Sequence, residues 1–296
     1  MAYDAVAFCP GHITGFFQVC PDEDPYKMGS RGAGICISHG VHTGVVIRES
    51  DATSIDVRIN GQASDAPVTK SAIMNLPIER NVHIEVNSEA QLPVSQGFGM
   101  SGAGALSSAI AVNEALDLEL SKNEVLQAAH KAEVECMTGL GDVFPQSMGG
   151  LVVRTKPGVS PYGKIQKHDV ERDLVLCIVG PSLSTRDILT NEAIVEKSSK
   201  LGSKFVRDFG NESSIDNFFR LSLEFARQTG LISEAVEEAV NACEGLGMAS
   251  MSMLGNSVFA VGDVHKLRYR LLDFGKIFLC SIENEGAHLV SPIREE

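Results

Sequence analysis

The chain has 296 residues, 44% apolar and 21% charged, and its 25 Lys and Arg against 38 Asp and Glu leave a net charge of −13. This balance excludes a disordered chain, and the length suits two domains or one large one. The acidic surplus, with no Lys/Arg run, argues against a nucleic-acid partner, and no apolar stretch approaches the ~20 residues of a membrane span.

Short strands are predicted over residues 3–8, 35–38, 43–49 and 54–59. Asn60-Gly61 comes next and reads as a hairpin turn, because both residues tolerate positive φ. Residues 82–86 (VHIEV) alternate like a further strand. A helix rich in Ala and Ser is predicted over 101–116. A second starts at Ser121, where Ser121 and Glu124 make an S-x-x-E capping box. Its apolar stripe, Val125, Ala128, Ala129, Ala132 and Cys136, keeps a helical period. A strand over 150–155 closes the first half.

Residues 156–173 read as the connection between domains, with room for one short strand. The second half holds a buried strand over 174–179, then helices over 191–206, 214–229 and 233–243. A Gly/Met/Ser-rich segment (245–256), a strand over 257–262, a helix over 264–274 and a strand over 277–282 complete it. Strands alternate irregularly with helix pairs, which predicts an α+β protein of two domains, 1–160 and 161–296. The cysteines at 9, 20, 36, 136, 177, 243 and 280 form no C-x-x-C pair and suggest reduced thiols in a cytoplasmic protein. The N-terminus lacks the basic start and long apolar stretch of a signal peptide.

The most informative segment runs from Pro93 to Gly104: Pro-Val-Ser-Gln-Gly97-Phe-Gly99-Met-Ser101-Gly102-Ala103-Gly. Its glycines let the backbone approach a ligand closely, and it leads straight into a helix whose free N–H groups attract anions. Phosphate is the natural ligand, with the Ser101 hydroxyl at the mouth, in reach of phosphate or Mg²⁺. Gly97 to Gly102 matches G-x-G-x-x-G literally, but the loop runs into helix–helix rather than helix–strand, so a dinucleotide fold is disfavoured. No G-K-[ST] ending makes it a P-loop of the Walker kind.

On this loop the chain resembles the GHMP kinase superfamily, and within it the archaeal pantoate kinase family. Pro93 to Ala103 fits the superfamily's P-x-x-x-G-[LF]-G-x-S-[SAG]-A, with Met100 in place of a usual Ser. Pro10-Gly-His12-Ile-Thr14-Gly-Phe-Phe17 is similar to the N-terminal substrate-side segment. Further matches are Ala132-Glu133, Thr138-Gly-Leu-Gly141-Asp142-Val143 with Gly149 to Arg154, and more weakly Ser252 to Ala260. The resemblance implies two parts, a domain like ribosomal protein S5 domain 2 and a ferredoxin-like domain. It implies ATP and Mg²⁺ as cofactors, the nucleotide lying on Pro93, Gly97, Gly99, Ser101, Gly102 and Ala103. It implies pantoate, phosphorylated at its 4-hydroxyl in coenzyme A synthesis, as substrate. A homodimer is one option for its assembly.

Glu133 and Asp142 stand nine residues apart. The resemblance implies that Glu133 joins Ser101 in holding Mg²⁺ and that Asp142 deprotonates or orients the substrate hydroxyl. Glu135 is the rival metal ligand, since both glutamates fall about 80° from the apolar stripe on opposite sides. Arg154, at the end of a strand, can grip a carboxylate with a planar fork, and His12 can donate to a carboxylate or hydroxyl. His39 and His42 have an H-x-x-H spacing but lack an evident third ligand. A GHMP kinase acting on mevalonate or homoserine, or a silent ligand-binding member of the fold, are the rival readings.

Overall fold

The computed structural model of the chain describes residues 3–183, 188 and 190–290. Strand β1 (Ala5–Cys20) runs straight through the Pro10–Phe17 motif, and β2 (Gly29–Glu49) joins the two short strands predicted at 35–38 and 43–49. Glycines interrupt the strand pattern in sequence because backbones pass close at those points. A Cβ on Gly40 would lie 2.1 Å from the carbonyl oxygen of Cys9.

β2 is the hub of the first sheet. It pairs with β1 along most of its length, with β5 (Val82–Ala90) from Val41 onward and with β6 (Leu151–Lys156) over Gly32–Ile35. β3 (Ser54–Ile59) and β4 (Gln62–Ser64) complete one side, joined by the expected turn with Asn60 at φ 50° and Gly61 at φ 79°. β7 (Lys164–His168) pairs with β6, and β12 (His288–Val290) with β1. Three helices pack together beside this sheet: α1 (Pro67–Met74), α2 (Met100–Ala115), which lies on β1 and β2, and α3 (Lys122–Glu135). The Ser121–Glu124 capping box forms as expected. α1 and the short α4 (Val143–Met148) are additions to the sequence reading.

The second sheet runs β11-β8-β10-β9, built from β8 (Asp173–Ile178), β9 (Gly247–Met251), β10 (Ser257–Gly262) and β11 (Lys276–Ser281), all antiparallel. In chain order this is 4-1-3-2, the ferredoxin-like arrangement. Its helices are α5 (Glu192–Asn211), α6 (Ile215–Thr229), α7 (Glu234–Asn241) and α8 (Val264–Leu271). Asn191, Ser214, Ser233 and Asp263 each cap one of them by accepting the backbone N–H three residues on. The α+β class is therefore as expected. We propose the two sheets as the cores of two domains, 1–160 and 161–296, the last six residues of the second lying outside the described ones. β7 and β12 cross that division, since both belong to the first sheet.

Phenylalanines bind the halves together in a chain without Trp. Phe16 of β1 is fully buried, with ring centroids 6.0, 5.8 and 6.4 Å from Phe205, Phe209 and Phe218 of α5 and α6. The neighbouring Gly15 admits α6, because a Cβ there would stand 2.1 Å from Ser222 Oγ. No helix among the described residues is long and apolar enough to cross a membrane. The Phe16 ring should carry much of the seam. Phe16→Ala is expected to lower unfolding stability by roughly 3–5 kcal/mol in urea titration. A loss below about 1 kcal/mol, the scale of an Ile→Val change, would show that the seam holds without it.

Candidate active site

Two loops and one turn surround a cleft of about 630 Å³ between the halves. The first loop ends at Gly99, which caps α2 in the left-handed region at φ 66°, with Gly97 at φ 79° before it. The earliest bond of α2 runs from the Ala103 N–H to the Gly99 carbonyl, at 3.0 Å. The amides of Met100, Ser101 and Gly102 come ahead of it in the first turn, where a helix leaves its N–H groups free for an anion. The second loop belongs to the other half: Met253 and Leu254 line the cleft. The two loops touch, since a Cβ on Gly97 would lie 2.8 Å from the Met253 carbonyl and Ser257 Oγ donates to the Gln96 carbonyl at 2.6 Å. His12 N–H binds the Phe98 carbonyl at 2.9 Å from the other side.

The turn after α3 is organised by Glu133. The residue is 2% exposed, and its Oε2 accepts the N–H groups of both Gly141 and Asp142 at 3.0 Å. Gly139 must lack a side chain, because a Cβ there would fall 2.3 Å from Glu133 Oε1. Arg154, also buried, donates from Nη1 to the Gly141 carbonyl at 2.8 Å, and Ser30 Oγ donates to the Leu140 carbonyl at 2.9 Å.

Folded in this way, the turn presents Asp142 to β1. Its Oδ1 accepts from His12 Nδ1 at 2.9 Å and, more weakly, from Thr14 Oγ1 at 3.4 Å. Burial pushes the Asp142 carboxyl up, but His12, Arg154 and Thr14 together outweigh it and hold the group below the usual carboxylate range. An ionised carboxylate only accepts, so His12 carries its proton on Nδ1. Burial lowers the His12 pKa against the pull of Asp142, which favours the neutral ring with Nε2 unprotonated, buried and unpartnered. Glu133 behaves oppositely. Burial first, and then the Asp142 charge, raise its carboxyl to about 8, against Arg154 and the amides of the turn.

Gly97, Gly99, Ser101, Gly102, Glu133, Asp142, Arg154 and His12 all line this one cleft. Two residues named from the sequence do not. Pro93 is exposed and off the lining. Ala103 is fully buried in α2 with its amide already bonded to Gly99, so it packs the helix rather than facing the mouth. His12 lines the cleft with its Nδ1 committed to Asp142. Glu135 points away, exposed and 3.6 Å from Lys131. Thr14 and Gln146 join the site from the structure alone. Thr14 is two residues from His12 on the same strand, so it shares that face, which is the signal that finds it. Gln146 lies one helical turn after Asp142.

The donors suit a magnesium ion bound with nucleotide. Glu133 Oε1 accepts no hydrogen bond from a described residue, and Ser101 lines the same cleft. Among the described residues no group of three or more His, Cys, Asp or Glu can hold a metal. Mg²⁺ needs none, because it keeps waters and binds through one or two protein oxygens plus substrate phosphates. A cation beside Glu133 would also offset the burial that raises its pKa.

A helix mouth for phosphate facing an ionised aspartate across one cleft, on this pair of sheets, is the plan of a phosphotransferase for small alcohols. The model of the GHMP kinases N-terminal domain matches residues 68–150. A pantoate kinase of Methanocaldococcus jannaschii is 34% identical over 93% of this chain and 99% of its own, and one of Methanospirillum hungatei is 33% identical over 95% and 94%. A solved structure described as a phosphotransferase related to the CoA biosynthesis pathway superposes with a TM-score of 0.85 at 28% identity, covering 96% of this chain and 98% of that one. The chain belongs to the pantoate kinase family of the GHMP kinases.

The two glutamates of α3 can be told apart by metal binding. With ADP present, Glu133→Gln should weaken Mn²⁺ affinity, read by electron paramagnetic resonance, by no less than the ~10-fold that loss of an outer-shell partner brings. Glu135→Gln should bind as wild type. The reverse order would move the metal to Glu135.

Proposed function

We propose that this kinase transfers the γ-phosphoryl group of ATP to the 4-hydroxyl of pantoate. The observation that carries the reading is the pairing, in one cleft, of the free amides of α2 with Asp142, ionised and fixed by His12.

In this reading the amides of Met100, Ser101 and Gly102 receive the phosphates, and Gly97 and Gly99 keep the backbone bare enough for close approach. Ser101 and Glu133 Oε1 would hold Mg²⁺, whose chemistry is to neutralise charge on the phosphate oxygens. Asp142 takes the hydrogen bond of the 4-hydroxyl. The hydroxyl oxygen forms the new bond to γ-phosphorus, the bond to the β–γ bridging oxygen breaks, and the hydroxyl proton passes to Asp142. The transition state is loose, so alignment by Asp142 matters at least as much as early proton removal. The His12 N–H fixes the carboxylate in place. His12, read from the sequence as a substrate contact, thus becomes a positioning residue for Asp142.

The remaining donors of Arg154 grip the pantoate carboxylate, which lets a chain of net charge −13 bind an anion. The same side chain braces the Gly141 carbonyl, so its loss loosens the catalytic turn as well. All seven cysteines are free, which suits a reducing cytoplasm.

An ADP-release screen with ATP, Mg²⁺ and pantoate, pantothenate, mevalonate or homoserine tests the assignment. Turnover of pantoate alone is expected, and equal rates on mevalonate or homoserine would overturn the substrate while keeping the kinase. In the same assay Arg154→Ala should raise the pantoate KM by at least about tenfold, from charge-assisted bonds of ~1.5–3 kcal/mol each, and should leave the ATP KM near its original value. A change confined to the ATP KM would put Arg154 on the phosphate side.

A further inference from the structure

Gln146 is fully buried in the short helix α4 that follows Asp142. Its side chain runs across to the phosphate loop, where Nε2 donates to the Gly99 carbonyl at 2.8 Å. A carbonyl only accepts, so the amide is oriented with its nitrogen towards Gly99. The other end, Oε1, is buried without a partner, 2.9 Å from the place a Cβ on Gly102 would take. The backbone of Gln146 is tied down twice. Its N–H binds the Asp142 carbonyl at 3.1 Å, and its own carbonyl accepts from Ala287 at 2.9 Å.

We propose that Gln146 is a positioning residue that locks the phosphate-loop cap Gly99 to the helix carrying Asp142, so that nucleotide and hydroxyl meet in register. Gly99 is the hinge of the loop, left-handed at φ 66°, and its orientation sets where the amides of Met100, Ser101 and Gly102 point. A glycine cap is conformationally free, and fixing it before a ligand arrives lowers the entropy lost on binding. Gln146 does this from Asp142's own helix, one turn on. Gln146 thereby adds a second tie between the phosphate mouth and the aspartate's turn, beside His12, which meets Phe98 through its backbone and Asp142 through its ring. The same bond explains Gly102. A Cβ there would crowd Gln146 Oε1 at 2.9 Å and Glu133 Oε1 at 3.2 Å, so a side chain would have to push the Gln146 amide aside. An amide suits the position because it donates to Gly99 without adding charge beside Glu133.

The inference rests on α2 as the phosphate mouth, so its test reads nucleotide binding directly. Gln146→Met keeps length and apolar packing but cannot donate. Gln146→Glu keeps shape but turns an acceptor towards the Gly99 carbonyl. ADP with Mg²⁺ is titrated by calorimetry into each variant, alongside steady-state kinetics and thermal unfolding. Loss of one hydrogen bond, ~0.5–1.5 kcal/mol, should raise the ADP Kd and the ATP KM by roughly 2- to 10-fold in Gln146→Met, with a larger rise in Gln146→Glu. The pantoate KM should move less than the ATP KM in both. Wild-type ADP affinity in Gln146→Met would overturn the proposal, whether or not its Tm falls, because the side chain would then only fill space. Should Gln146→Met fail to fold, Gln146→Glu binding ADP as wild type overturns it equally. A wild-type protein that does not bind ADP would remove the phosphate mouth itself, and the proposal with it.

Discussion

One buried carboxylate holds the site together. Glu133 accepts two consecutive backbone amides, those of Gly141 and Asp142, and so folds the turn after α3 back onto its own helix end. Burying a carboxyl is costly, and these two bonds, with Arg154 near by, offset only part of that cost, so burial and the Asp142 charge still raise its pKa to about 8. Several sequence features stem from that single contact. Gly139 has no room for a side chain, Gly141 adopts φ 113°, and a Cβ on Gly102 of the facing helix would crowd Glu133 at 3.2 Å. The result is directional: Asp142 leaves the turn aimed at His12 and Thr14. Two neighbouring carboxyls thus take opposite characters, Glu133 raised by burial and Asp142 held ionised by donors.

The phosphate loop depends on a different kind of constraint, contact between the two halves. One of its glycines, Gly97, lies against backbone of the second half, facing the Met253 carbonyl, and Gly255 of that half in turn faces the Gln96 carbonyl. Phe16 and its ring partners press β1 against α5 and α6 at the same seam. The cleft is therefore a property of the docked pair and not of either sheet alone. This is why the lining comes from positions as distant as His12, Ser101, Asp142 and Leu254, with the reactive groups on the first half and the second half closing the wall.

Local signals are readable in the sequence. The Ser121–Glu124 box and the Asn60-Gly61 turn rest on interactions within a few residues and form as read, and the α3 stripe is buried from Val125 to Ala132, with Cys136 just past the helix end and half-buried. The motifs around Gly97, Glu133 and Asp142 also locate the cleft. The features that stay hidden in the sequence depend on distant partners. β1 and β2 read as broken because glycine weakens a strand pattern, yet those glycines sit where strands cross closely. Glu133 and Glu135 are equivalent by helix angle, and only tertiary packing buries one and exposes the other. Gln146 has no local pattern at all, since its role is a bond to a residue 47 positions away.

The Glu133-folded turn delivers Asp142 to the reacting hydroxyl, and on that delivery the whole mechanism turns. Asn is nearly isosteric with Asp but carries no charge and takes no proton. Steady-state kcat of Asp142→Asn with pantoate and ATP, measured beside ADP affinity, tests the claim directly. A fall in kcat of roughly 10²–10⁴ is predicted, the usual range for general acid–base help, with ADP affinity near wild type. An unchanged kcat would contradict it and remove Asp142 from the reaction.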